Sequence, residues 1–131
     1  MMAEKSEYVR YRLDQSRESL QAAEACLQSG YLRSAVNRVY YACFYAVSAL
    51  LLAEGFRSAK HTGVRSLFDR HWIKNGRLPI EMAHFYRDLF KYRHQGDYED
   101  LISFAHDEVE SWFEEARNFV RRVSEEVDKL Q

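Results

Sequence analysis

"VYYACFYAVSALLLA", Val39 to Ala53, is the longest apolar run in the chain, and Ser48 alone interrupts it. Followed back to Leu32, the pattern covers almost the whole circumference of a helix, with Leu32, Ala35, Val36, Val39, Tyr40, Cys43, Phe44, Val47, Leu50 and Leu51 falling on every side. A helix apolar all round lies at the centre of a core or is buried in an oligomer. The run falls short of the roughly 20 apolar residues of a membrane span, so a buried helix is expected and no membrane contact. The start of the chain, "MMAEKSEYVRYR", is charged and has no apolar signal-peptide core.

Outward from this helix, glycine and proline divide the chain. Gly30, Gly55, Gly63, Gly76 and Gly96 each fall where a helical pattern stops or is about to start, and Pro79 suits a first helical turn. Five helices are expected, over roughly 6–29, 31–54, 62–74, 79–95 and 103–130. The first carries Val9, Leu13, Leu20 and Leu27 on one stripe. The last repeats Val109, Trp112, Ala116, Phe119, Val123, Val127 and Leu130 at spacings of three, four and seven. No segment alternates with period two for long, so no sheet is expected. Short connections between long helices favour antiparallel neighbours, and the fold class expected is all-α, an up-and-down bundle of four to five helices. The 131 residues suit one domain. Cys26 and Cys43, each inside an apolar helical pattern, read as free thiols in a reducing cytoplasm.

Charge is unevenly spread. Residues 1–56 are balanced, 57–96 carry a net +6 with four of the five histidines, and 97–131 carry −7, which sums to the overall −1. A basic middle suits a phosphate-bearing ligand; a basic helix beside an acidic one also suits simple surface pairing. The overall balance excludes a polyanion binder that works on net charge.

Several chemistries drop out. There is no P-loop, no G-x-G-x-x-G and no paired C-x-x-C. Glu81-Met82-Ala83-His84 has the Glu-x-x-His spacing of di-metal bundles, but helix two supplies no core carboxylate to complete such a site. No metal and no cofactor are expected. Asn37 and Arg38 stand out inside the apolar helix, because a guanidinium there must find a partner. Either Arg38 snorkels out to solvent or pairs with a glutamate of helix one or five, or both residues face a polar pocket.

The stretches "NRVYYACFYAVSALLLAEGFRSAKHTGVRSLF" and "YRDLFKYRHQGDYED", followed by a long amphipathic last helix, resemble the HEPN superfamily over roughly residues 6–130. The features that carry the resemblance together are Arg38 to Tyr41, Lys60 to Gly63, and Arg93 to Tyr98. It implies a helical bundle that commonly dimerises. Many members are metal-independent ribonucleases, often toxins encoded beside a minimal nucleotidyltransferase. Their motif is an arginine, usually followed by a polar residue, with a histidine four to six positions further on. Here Arg93 matches the arginine and His94 the polar residue, and Tyr98 occupies the histidine's place. Arg87 with His94 is a second pairing, and Asn37 matches the polar residue near the start of helix two. The catalytic candidates are therefore Arg93, His94 and Tyr98, and the binding candidates Asn37, Arg38, Tyr41, His61, Arg87 and Asp97.

The exchange at Tyr98 has a chemical consequence. Metal-free ribonuclease chemistry needs one group to remove the 2′-hydroxyl proton and another to protonate the leaving oxygen. Histidine, with a pKa of about 6.5, does this near neutral pH; tyrosine, near 10, is not a base there. The expected function is an interaction module, a homodimer that binds RNA or a nucleotide and partners a nucleotidyltransferase, with weak or absent cleavage. The alternatives are an active ribonuclease toxin using Arg93 and His94, and a purely structural helical dimer with a vestigial site.

Overall fold

The computed structural model describes residues 2–131, with side chains from residue 4 onward. Five α-helices make up the bundle: α1 Met2–Gln28, α2 Leu32–Ala53, α3 His61–Phe68, α4 Ile80–Tyr98 and α5 His106–Leu130. A π-helical turn, Asp69–Ile73, continues α3. Among the described residues there is no strand.

α2 is the axis of the fold. It packs against α1, α3, α4 and α5 at once, and twelve of its residues are buried. That central position accounts for its apolarity on every side. At 22 residues, with an 18-residue window of mean hydropathy 1.3, α2 does have the length and composition of a membrane span, contrary to the expectation from its shorter unbroken run. The same helix is mostly buried by protein, as the core helix of a bundle would be. Alanines at 35, 42, 46 and 49 are fully enclosed and leave room for close helix contacts. One such contact is the Ser16 hydroxyl of α1, which donates to the Ala42 carbonyl at 2.7 Å.

The helix ends explain the register. Gly30 and Gly55 take positive φ of 78° and 87°, the left-handed turn that glycine enters without a Cβ clash. After α1 the Tyr31 N–H returns to the Cys26 carbonyl at 2.8 Å, and after α2 the Phe56 N–H returns to that of Leu51 at 2.9 Å. Two other glycines are not helix ends. Gly63 lies inside α3, against the Ser58 side chain. Gly96 lies inside α4, which runs on to Tyr98. A Cβ at residue 96 would come within 3.1 Å of the Phe104 ring, so this glycine lets the α4–α5 connection pack closely.

The extra turn of α4 corrects the expected boundary at 95 and places Arg93 inside the helix rather than in its last turn. The connection beyond is held by Arg33 of α2, whose Nη1 donates to the Gly96 and Glu99 carbonyls at 3.0 and 3.4 Å and whose Nη2 donates to that of Ile102. Leu101, inside this clasped segment, sits at φ 62° with its side chain fully exposed.

Candidate functional site

The site lies where α2, the start of α3 and the second half of α4 meet. Arg93 is its centre. This arginine is buried, at 7% exposure, yet its side chain has little to hold it. Nη1 stands 3.6 Å from Asp97 Oδ2, one helical turn on, and Nε is buried without a hydrogen-bond partner. Its remaining contacts are aromatic: Cζ lies 5.0 Å from the Tyr40 ring centre, 5.2 Å from Phe90, 5.9 Å from Tyr41 and 6.0 Å from Tyr98. Cation–π attraction of this kind offsets part of the desolvation of a buried guanidinium, but it does not replace a hydrogen-bonding anion.

Asp97 is shared. Asn37 Nδ2 donates to its Oδ2 at 3.0 Å. Asn37 Oδ1 in turn accepts from Arg38 Nε at 3.0 Å and Nη2 at 2.7 Å. Arg38 also stacks over Tyr41, 5.0 Å from the ring centre. Arg38 therefore turns to its neighbours on α2, and among the described residues it forms no ion pair with a glutamate of α1 or α5. The Asp97 carboxylate meets the Arg93 guanidinium and the Asn37 amide, Arg38 reaches only Asn37, and the two arginines against one carboxylate leave the cluster a net positive charge. Arg65 of α3, over Phe90 at 5.1 Å, adds a further cation beside it.

His61 enters from the first position of α3. Its Nδ1 is 2.7 Å from the Tyr40 hydroxyl, and its ring stacks on Phe44 at 4.4 Å. Burial, and secondarily the positive charge of Arg93, hold His61 below the usual imidazole pKa, so the ring is neutral at pH 7. Burial pushes the Tyr40 hydroxyl well above the ordinary phenol value, although the Tyr86 hydroxyl and Arg93 pull it part of the way back.

Of the residues singled out in the sequence, Arg93, Asn37, Arg38, Tyr41 and Asp97 come together, and His61 joins them through Tyr40. His94 and Tyr98 form an exposed rim: their rings are 4.9 Å apart, and Tyr98 is 69% exposed. Arg87 is not part of the cluster. It is exposed, pairs with Asp88 at 3.6 Å, and its charge acts on Asp69. Tyr40, Phe90 and Arg65 were missed. Tyr40 sits inside the Arg-x-Tyr-Tyr stretch and could have been taken with Tyr41; nothing local in the sequence marks the other two.

A helical bundle with a buried arginine on α4 facing a polar residue on α2 is the arrangement expected of a HEPN domain. A HEPN domain model matches residues 9–127, and the chain belongs to this family. It is 39% identical over 130 residues to a UPF0332 protein of Thermotoga maritima, covering 99% of this chain and 98% of that one. It is 31% identical over 111 residues to a Methanocaldococcus jannaschii protein named as a candidate toxin, covering 85% and 76%. The crystal structure of TT1696 from Thermus thermophilus superposes with a TM-score of 0.76 at 22% identity, over 90% of this chain and 97% of that one, a likeness of fold.

Proposed function

We propose that this HEPN protein is an RNA- or nucleotide-binding interaction module with weak or no nuclease activity, working as a homodimer beside a nucleotidyltransferase partner. One observation carries the binding reading: the Arg93 guanidinium is buried among four aromatic rings, with Nε unbonded and, among the described residues, one paired carboxylate at 3.6 Å. A charge left so incompletely paired is costly unless an anion completes it. A phosphate supplies acceptor oxygens for Arg93, and the exposed His94 and Tyr98 rings are placed to stack on an unpaired base. The weak-cleavage reading rests on the position of Tyr98, which leaves the motif without its proton acceptor.

Titration of a labelled single-stranded RNA with wild type, Arg93→Gln and Lys91→Ala at several salt concentrations tests the proposal. Lys91 is exposed, two residues from Arg93. Arg93→Gln is expected to weaken binding across sequences and make the salt slope shallower by about one ion, and Lys91→Ala to change little. Equal affinities and slopes for all three proteins reject the site.

The second reading, an active metal-independent ribonuclease using Arg93 and His94, is supported by the relative named as a candidate toxin. In this reading Arg93 stabilises charge on phosphorus and His94 moves the proton.

A further inference from the structure

Away from the Arg93 cluster, a groove of about 680 Å³ opens between α1, α2 and the connection over residues 54–60. Its volume falls in the range of small-molecule sites, about 300–1,000 Å³. Rings line it from three elements: Tyr8 on α1, Phe44 and Tyr45 on α2, and Phe56 in the connection. Ser48 and Ser58 line the same space, and His61 forms the wall shared with the Arg93 cluster.

The charge of this lining is one-sided. Arg12 and Arg57 are its charged groups, and none of the lining residues is acidic. Arg12 is held at neutral partners, with Nη1 donating to Gln15 Oε1 at 2.8 Å and Cζ 5.8 Å from the Tyr45 ring centre. Arg57 is exposed in the connection, and among the described residues neither arginine forms an ion pair. His61, neutral at pH 7, offers hydrogen bonding there without a third charge. Flat walls select a flat occupant, and two unneutralised guanidiniums select an anion.

We propose that this groove is a ligand site for a small planar aromatic anion, a flat ring bearing one carboxylate or phosphate, seated against Tyr8, Phe44, Tyr45 and Phe56 with its charge on Arg12 and Arg57. The groove shares His61 with the Arg93 cluster but is a distinct site, since neither Arg93 nor Asp97 lines it.

Calorimetric titration of the full chain with phenyl phosphate and with salicylate tests this. Inorganic phosphate serves as charge without ring, and benzyl alcohol as ring without charge. At least one aryl anion is expected to bind saturably, one per chain, and both controls to bind at least roughly tenfold more weakly, the order of one lost charge-assisted contact. Comparing the two aryl anions decides between carboxylate and phosphate. Arg12→Gln and Arg57→Gln should each weaken binding about tenfold by the same reasoning. Arg57 is exposed, so its variant is not expected to disturb folding. Arg93→Gln should leave the affinity unchanged, which separates this site from the RNA site.

Four outcomes overturn the proposal. The aryl anions do not bind saturably; inorganic phosphate binds as tightly as phenyl phosphate; binding survives both arginine variants; or a second copy of the chain covers the groove and keeps the probes out at every concentration.

Discussion

The Tyr40 hydroxyl lies 2.7 Å from His61 Nδ1, tying the first residue of α3 to the central helix. Burial and the Arg93 charge lower the His61 pKa in the folded protein. Arg65 and Arg93 are the cations near this pair, as the Tyr40 hydroxyl also registers. The direction of the pH effect follows. Between the folded pKa and the unfolded value of about 6.5, the unfolded chain binds a proton that the folded chain does not, so stability rises with pH across that window. His61 thus costs nothing above about pH 6.5 and destabilises progressively as the pH falls below it. Wild type should lose thermal stability faster than His61→Asn between pH 7 and pH 5. Parallel melting curves for the two proteins across that range would reject the assignment.

Cleavage is the second prediction. The only ring at the motif position is that of Tyr98, 69% exposed at the end of α4. Purified protein without added metal should degrade single-stranded RNA poorly, and His94→Ala should change that little. Robust cleavage abolished by His94→Ala would overturn the binding-module reading in favour of the ribonuclease.

The fold was legible because its signals are local. The left-handed glycines at 30, 55 and 76 mark real ends, and the all-round apolar α2 had to be buried, as a core axis or in an oligomer, of which the structure shows the first. Gly96 misled because a glycine that permits close packing against Phe104 looks, in sequence, like one that ends a helix. The site was legible in part. Asn37 stood out as a polar residue in an apolar helix, and Arg93 and Asp97 came from the family resemblance, whereas Arg33 and Phe90 act only through contacts that folding creates. Arg87 was misplaced for a geometric reason. Six residues before Arg93 on an α-helix is about 120° away round the axis, so it faces Asp69 and not the cluster.

Association is the third prediction. The central place of α2 removes the need for a partner to cover it, so the motive for pairing moves elsewhere. Arg33 of α2 clasps the connection that presents Leu101, fully exposed, and Tyr98 stands at the end of the helix leading into it. Exposed apolar groups gathered at one end of a bundle are a natural interface. Light scattering at micromolar concentration should give twice the chain mass, with Leu101→Glu shifting the equilibrium towards monomer. A monomeric mass for wild type rules pairing out.

The last prediction turns on Asp97 as a competitor. Among the described residues its carboxylate is the one that pairs with Arg93, and Asn37 holds it there at 3.0 Å. If Arg93 awaits a phosphate, Asp97 must be displaced or outweighed when the ligand arrives. Asp97→Asn keeps the shape and an acceptor for Asn37 while removing the charge. Breaking a fully buried ion pair costs about 3–5 kcal/mol. The Asp97 side chain is 26% exposed and its contact with Arg93 is long, so a loss of about 1–2 kcal/mol of stability is expected. Affinity should move the other way: RNA binding tightens several-fold, because the ligand no longer competes with a resident carboxylate. A structural ion pair with no ligand role predicts the stability loss alone. Denaturant melts and RNA titrations on the same Asp97→Asn preparation separate the two, and a variant that is less stable with unchanged or weaker binding would remove Arg93 as the phosphate anchor.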